Sequence, residues 1–145
     1  MARTRTLVAA LCALALTTAA APSTADAGKR RQMVRAINFV RGWSHIHGVN
    51  YSRRLSSGAA SWARHLMRRD LLAHSNGAMR RHEGEVIEWH TGRASKVNSV
   101  VMEWLNSSGH RHVMLSRGYR RAGAGKAVGW MNGQKSTIWV VRFAR

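Results

Sequence analysis

The sequence predicts an α+β fold with helices layered on an antiparallel sheet, because its apolar residues change period along the chain. Three early segments carry apolar residues at helical spacing. The last residues alternate instead, and a Met131-Asn132-Gly133 turn signal joins them to a Gly-rich stretch before them.

The chain opens on Arg3 and Arg5, followed by an apolar run from Leu7 to Ala20. That run is shorter than the roughly 20 residues that span a bilayer. Ala25-Asp26-Ala27 offers a cleavage site of the small-x-small type, with Ala19-Ala20-Ala21 as a second choice. Residues 1–27 therefore read as a secretory signal peptide and residues 28–145 as one secreted domain, with no transmembrane segment after cleavage. Cys12, the only cysteine, leaves with the signal, and Leu11 before it is too large for a lipoprotein site. The exported domain then holds no disulfide and depends on its core alone.

Met33, Ala36, Ile37 and Val40 predict a first helix over Gln32 to Arg41, with Gly42 as its stop. Ala59, Trp62, Ala63, Leu66 and Met67 form the stripe of a second, for which Ser56 and Ser57 are cap candidates. After Ser95, the residues Val97, Val100, Val101, Trp104 and Leu105 mark a third. Ala73 to Arg93 reads as a polar connecting segment broken only by Val86-Ile87. Thr137, Trp139, Val141 and Phe143 alternate with Ile138, Val140 and Arg142, the pattern of the second strand of a terminal hairpin.

Composition narrows the function classes. With 24 Lys+Arg against 6 Asp+Glu the formal net charge is +18, yet 45% of residues are hydrophobic and 6 are Trp, so the chain folds and is not a disordered polycation. Removing the signal changes that charge by one unit. The Arg doublets Arg30-Arg31, Arg53-Arg54, Arg68-Arg69, Arg80-Arg81 and Arg120-Arg121 are spread over every segment, which predicts a uniformly positive surface attracted to anionic surfaces. No specific nucleic-acid fingerprint accompanies them. Trp43, Trp89 and Trp130 are the tryptophans expected outside the core.

Familiar catalytic patterns fail. His82-Glu83 would begin a zincin helix, but Val86 stands where the second His is needed. Gly123-Ala124-Gly125-Lys126 lacks both the upstream Gly, which is Arg120, and the Ser/Thr, which is Ala127. G-x-S-x-G is absent, and the exported domain has no thiol. Three small or polar settings remain: His74-Ser75, Gly84-Glu85, and Asn106-Ser107-Ser108-Gly109-His110. Each His follows a predicted helix, where an imidazole also serves as a cap.

Taken in order, Ile37-Asn38-x-x-Arg41, Ala63-x-x-x-Met67, His74-Ser75, Gly84-Glu85-Val86-Ile87, Trp104 to Arg111, Tyr119-x-x-x-Gly123-Ala124-Gly125 and Trp139 to Phe143 resemble the bacterial SCP-like branch of the CAP superfamily. That superfamily comprises cysteine-rich secretory proteins, antigen 5 and pathogenesis-related 1 proteins. The resemblance implies a three-layer α-β-α sandwich, a secreted, extracellular location, and a cleft lined by two His and one or two Glu that holds a divalent cation such as zinc in some relatives. Matched by motif, His74 and His110 are the cleft histidines and Glu85 is the cleft glutamate, with Ser75 and Asn106 beside them. Val86 replaces the Asn that follows this Glu in the family, Ser108 replaces a Pro, and Ser107 stands where many eukaryotic members carry a second Glu. Glu103, on the other side of Trp104, is a candidate replacement.

Two imidazoles and a carboxylate suit a zinc site with open positions, with His74 and His110 as metal ligands. Glu85 is then a candidate general base, or it pairs with a His or an Arg to hold its segment down. On a helix His110 and His112 would lie about 200° apart and could not share an ion. The resulting expectation is a secreted protein whose cleft takes a divalent metal or a small, lipid-like molecule. A metal-dependent hydrolase using the same cleft, and cationic adhesion to envelope polymers, lipids or nucleic acid, are the alternatives.

Overall fold

The computed structural model describes residues 24–92 and 96–145. Most of the expected signal peptide, Cys12 and Ser95 lie outside them.

Helix α1 spans Thr24–Trp43, a longer segment than the sequence expectation at both ends. Asp26 in its first turn pairs with Arg30 one turn on, so the helix begins upstream of the apolar stripe. Strand β1, Asn50–Tyr51, leads into helix α2, Arg53–Arg69. Ser52, in extended conformation, caps α2 by accepting the Leu55 N–H at 3.3 Å. Ser56, expected as a cap, lies instead inside the helix, where its buried hydroxyl donates to the Ala124 carbonyl.

The segment Ala73 to Arg93, expected as a connection, holds helix α3, Asn76–Arg80, and strand β2, Gly84–Thr91. Helix α4 covers Val97–Asn106. Extended backbone at Ser107 breaks the chain there, and Ser108–Met114 forms a separate helix, α5. His110 is therefore on a helix of its own and not in a tail beyond α4. Strands β3, Arg121–Met131, and β4, Gln134–Ala144, form the expected hairpin. Asn132 and Gly133 both take positive φ, 50° and 69°, as a tight hairpin turn requires.

The sheet order is β1-β3-β4-β2. It is antiparallel across β3, β4 and β2, while the two-residue β1 joins β3 in parallel, a departure from the purely antiparallel expectation. Both faces are covered, which explains why β4 is apolar at consecutive positions from Ile138 to Val141. On one face α2 packs Ala59, Ala63 and Leu66 against Ile87, Ala127, Ile138 and Val140. On the other, Met33, Ile37, Val100, Trp104 and Met114 meet Val86, Trp139, Val141 and Phe143. This is a three-layer α-β-α sandwich. Gly123 and Gly125 make it close-packed, since a Cβ at either would overlap the α2 backbone at Ser56 or Ala60.

Two residues of the motif string turn out to be braces. Asn38 exchanges two hydrogen bonds with the Val49 backbone, at 2.9 and 2.8 Å, and so holds the approach to β1. Buried Arg41 donates to the carbonyls of His47, Met114 and Ser116 at 2.8 to 3.0 Å, tying the end of α1 to the end of α5. Trp43 and Trp130 are exposed and Trp89 half-buried. Among the described residues, no helix is long and apolar enough to cross a membrane.

Candidate functional site

β2 is an edge strand, and pairing sets Glu85 opposite Arg142 of β4. Both face the α2 layer, because Val86 and Ile87 fix the parity by packing on opposite sides. Glu85 is buried, and both its oxygens are engaged. Oε2 accepts Arg142 Nε at 3.0 Å. Oε1 accepts the Ser75 N–H at 2.8 Å and faces His74 Nδ1 at 3.1 Å. Ser75 caps α3, its hydroxyl accepting the Ala78 N–H, so its own N–H is left for the carboxylate.

Because the Glu85 carboxylate only accepts, Nδ1 of His74 carries a proton, and in the neutral form of the ring the free lone pair lies on Nε2. The His74 side chain is 52% exposed. His110 on α5 presents a buried Nδ1 that has no hydrogen-bond partner. Burial, and then the charge of His74, hold the His110 pKa below the usual histidine value, so its imidazole is neutral at neutral pH. Among the described residues, His74, Glu85 and His110 do not bring one ligand atom each within 4.8 Å of one another, as Glu88, His90 and Glu103 do. His74, Ser75 and Glu85 are thus joined by hydrogen bonds, and His110 Nδ1 stands outside that network. Asn106 lies exposed at the end of α4, and among the described residues no hydrogen bond ties it to the others.

Sequence reasoning missed two further groupings. Glu88 and His90, two apart on β2, share the face opposite Glu85, and there they meet Glu103 of α4. Glu103 therefore joins a different cluster from the one it was a candidate to complete. Burial first, and the neighbouring Glu103 charge in addition, push the Glu88 carboxyl up. An E-x-H pair is a same-face signal only once the segment is known to be a strand.

The second grouping is basic. Arg54, Arg81 and Arg121, from three separate doublets, converge with His82 and Arg145 on a cleft of about 580 Å³. Buried Glu83 anchors it, accepting Arg81 Nε and Nη2 at 3.0 and 3.1 Å and Arg54 at 3.4 Å. Burial alone would push the Glu83 carboxyl up, but the Arg81 hydrogen bond and the charges of Arg81, Arg142 and Arg54 outweigh it and hold the pKa low.

These layers are those of SCP-domain proteins. The fold matches an extracellular SCP-domain protein of Bacillus anthracis at TM-score 0.66 and 17% identity, over 87% of this chain and 45% of that one. It also matches an outer surface protein of Borrelia burgdorferi at TM-score 0.64 and 16% identity, over 86% of this chain and 96% of that one. The sequence model of the CAP, or cysteine-rich secretory protein, family matches residues 34–143, and the chain belongs to that family. A comparison with curated protein sequences gives no match.

Proposed function

We propose that this is an exported CAP-domain protein whose edge-strand cleft binds a divalent cation through His74 and His110. The observation that carries the reading is the Glu85 carboxylate, which accepts from Ser75, Arg142 and His74. A carboxylate on one imidazole nitrogen is the usual support of a metal-bound histidine, because it fixes the tautomer and turns the other nitrogen toward the ion. Neutral His110 adds a second lone pair without a proton to displace. Two imidazoles favour zinc, which when bound polarises water or a ligand carbonyl in its open positions. A small ligand entering the cleft would meet these same two rings. Glu85, with both oxygens engaged, acts here as an orienting group, which favours binding over hydrolysis with Glu85 as base. Export is supported by the signal-like N-terminus and by the extracellular nature of the similar Bacillus protein.

Zinc titration of the metal-free chain, followed through the ring resonances of His74 and His110, tests this. Both rings are expected to shift together, and His74→Ala or His110→Ala to abolish the effect at the remaining ring. Glu85→Gln is expected to weaken binding by about 10–100-fold, the usual cost of losing an outer hydrogen-bond partner. Rings that stay unmoved by zinc would overturn the proposal.

A second reading, adhesion to anionic surfaces, is favoured by one observation, the convergence of one arginine from each of three doublets, with Arg145, on a single cleft.

A further inference from the structure

We propose that Glu88, His90 and Glu103 form a second divalent-metal site, on the opposite face of β2 from Glu85, that takes a first-row ion such as Zn2+ or Mn2+.

The architecture fixes the three residues independently of any ion. Strand alternation puts Glu88 and His90 on the face toward α4. Helix α4 is pinned to the same stretch of strand by buried Trp104, whose indole N–H donates to the Ile87 carbonyl at 3.3 Å. Glu103, next to that anchor, is thereby held against the strand. One ligand atom from each residue falls within 4.8 Å of the others. His90 Nε2 and Glu103 Oε2 are 3.3 Å apart. That equals the edge of about 3.3 Å expected between two ligands of a tetrahedral ion with bonds of about 2.0 Å.

The contact between His90 and Glu103 is not a finished hydrogen bond. His90 Nε2 is screened from solvent and has no in-line partner. The surrounding charges deepen the anomaly. Of the chain's 6 acidic residues, Asp26 pairs with Arg30, Glu83 with Arg81, Glu85 with Arg142, and Asp70 accepts the Asn132 N–H. Among the described residues, Glu88 and Glu103 pair with no Arg or Lys, although the chain has 24 of them. Two carboxylates drawn together around one imidazole repel each other, and a divalent cation between them removes the conflict. Two carboxylates and one imidazole suit zinc or manganese better than a soft ion, which prefers sulfur, or calcium, which prefers oxygen throughout. Access comes from the Glu103 side, which is 48% exposed against 21% for His90.

The site does not depend on the cleft, and its test keeps the two apart. The full chain, stripped of metal, is titrated with Zn2+ by calorimetry and by NMR of the His90 ring. The His90 resonance is expected to shift at micromolar zinc in the wild type and equally in His74→Ala. Glu103→Gln, a change at an exposed position, is expected to weaken that response at least tenfold, and Glu88→Gln/Glu103→Gln to remove one equivalent of bound zinc. Circular dichroism confirms that each variant is folded, and the single Glu103→Gln variant serves if the double one is not. A His90 ring that shifts only at millimolar zinc, or one whose response Glu103→Gln leaves unchanged, would overturn the proposal.

Discussion

At the scale of single residues, the candidate site is organised by one buried carboxylate in a strongly basic chain. Glu85 is stabilised by Arg142 on one oxygen and directs His74 with the other. His110 is the complementary case, a histidine disfavoured as a cation by burial and by His74. The sign of its effect on stability follows from linkage. An unfolded His110 takes up a proton near pH 6.5, whereas the folded one resists until a lower pH, so in that window the unfolded state binds more protons. Stability contributed by neutral His110 is thus full above about pH 6.5 and is eroded as the pH falls toward the folded value. His110→Gln is expected to flatten the pH dependence in urea unfolding of the metal-free chain between about pH 7 and about pH 5.5. Equal slopes in the two proteins would show that His110 titrates as it does in the unfolded chain.

At the scale of elements, what the sequence discloses is what packing makes periodic. The stripes of α2 and α4 and the Asn132-Gly133 hairpin are legible because each buries one continuous set of side chains or needs one turn geometry. β2 is not legible, since Glu85, Glu88 and His90 occupy pleat positions where an apolar alternation would otherwise stand. The residues that make the strand chemically interesting are those that hide it. α5 is hidden for another reason: only Met114 of its seven residues is buried, so it has no stripe. Motif order singles out His74, Glu85 and His110 as candidates, whereas the bonding of Glu85 to Arg142 required the register of β2 on β4. The Gly-rich stretch, which fails as a phosphate loop, is explained by the seat of α2 on β3. Gly125→Ala is therefore expected to destabilise the fold by about 3 kcal/mol, because the overlap is with helix backbone that cannot step aside. Gly42→Ala, where a Cβ would meet nothing within 4 Å, is its control and should leave stability unchanged or raised by up to about 1 kcal/mol. Thermal unfolding of the two variants side by side decides the matter.

At the scale of the whole molecule, the question is whether a net charge of +18 acts as a uniform field or through a place. Scattered doublets imply the field, and the fold argues for the place by gathering Arg54, Arg81 and Arg121 with Arg145 around one cleft. Arg54 and Arg81 are partly spent on Glu83, while Arg121 and Arg145 make no contact with that carboxylate. Removing the latter pair tests the cleft without orphaning a buried acid. On vesicles rich in phosphatidylglycerol, each basic residue at the surface contributes about 1 kcal/mol at low ionic strength. Arg121→Gln/Arg145→Gln should then weaken vesicle binding by about 30-fold if the cleft is the contact, with the difference fading as salt shortens the screening length. Arg68→Gln/Arg69→Gln removes the same charge from the end of α2, where both side chains are exposed. If the surface acts as a place, this second pair should change binding only slightly. If the two double variants lose affinity equally, the charge acts as a field and the cleft has no privileged part in it. His74→Ala leaves vesicle binding untouched in either case, since the His74–Glu85 edge of β2 and the basic cleft are lined by different residues.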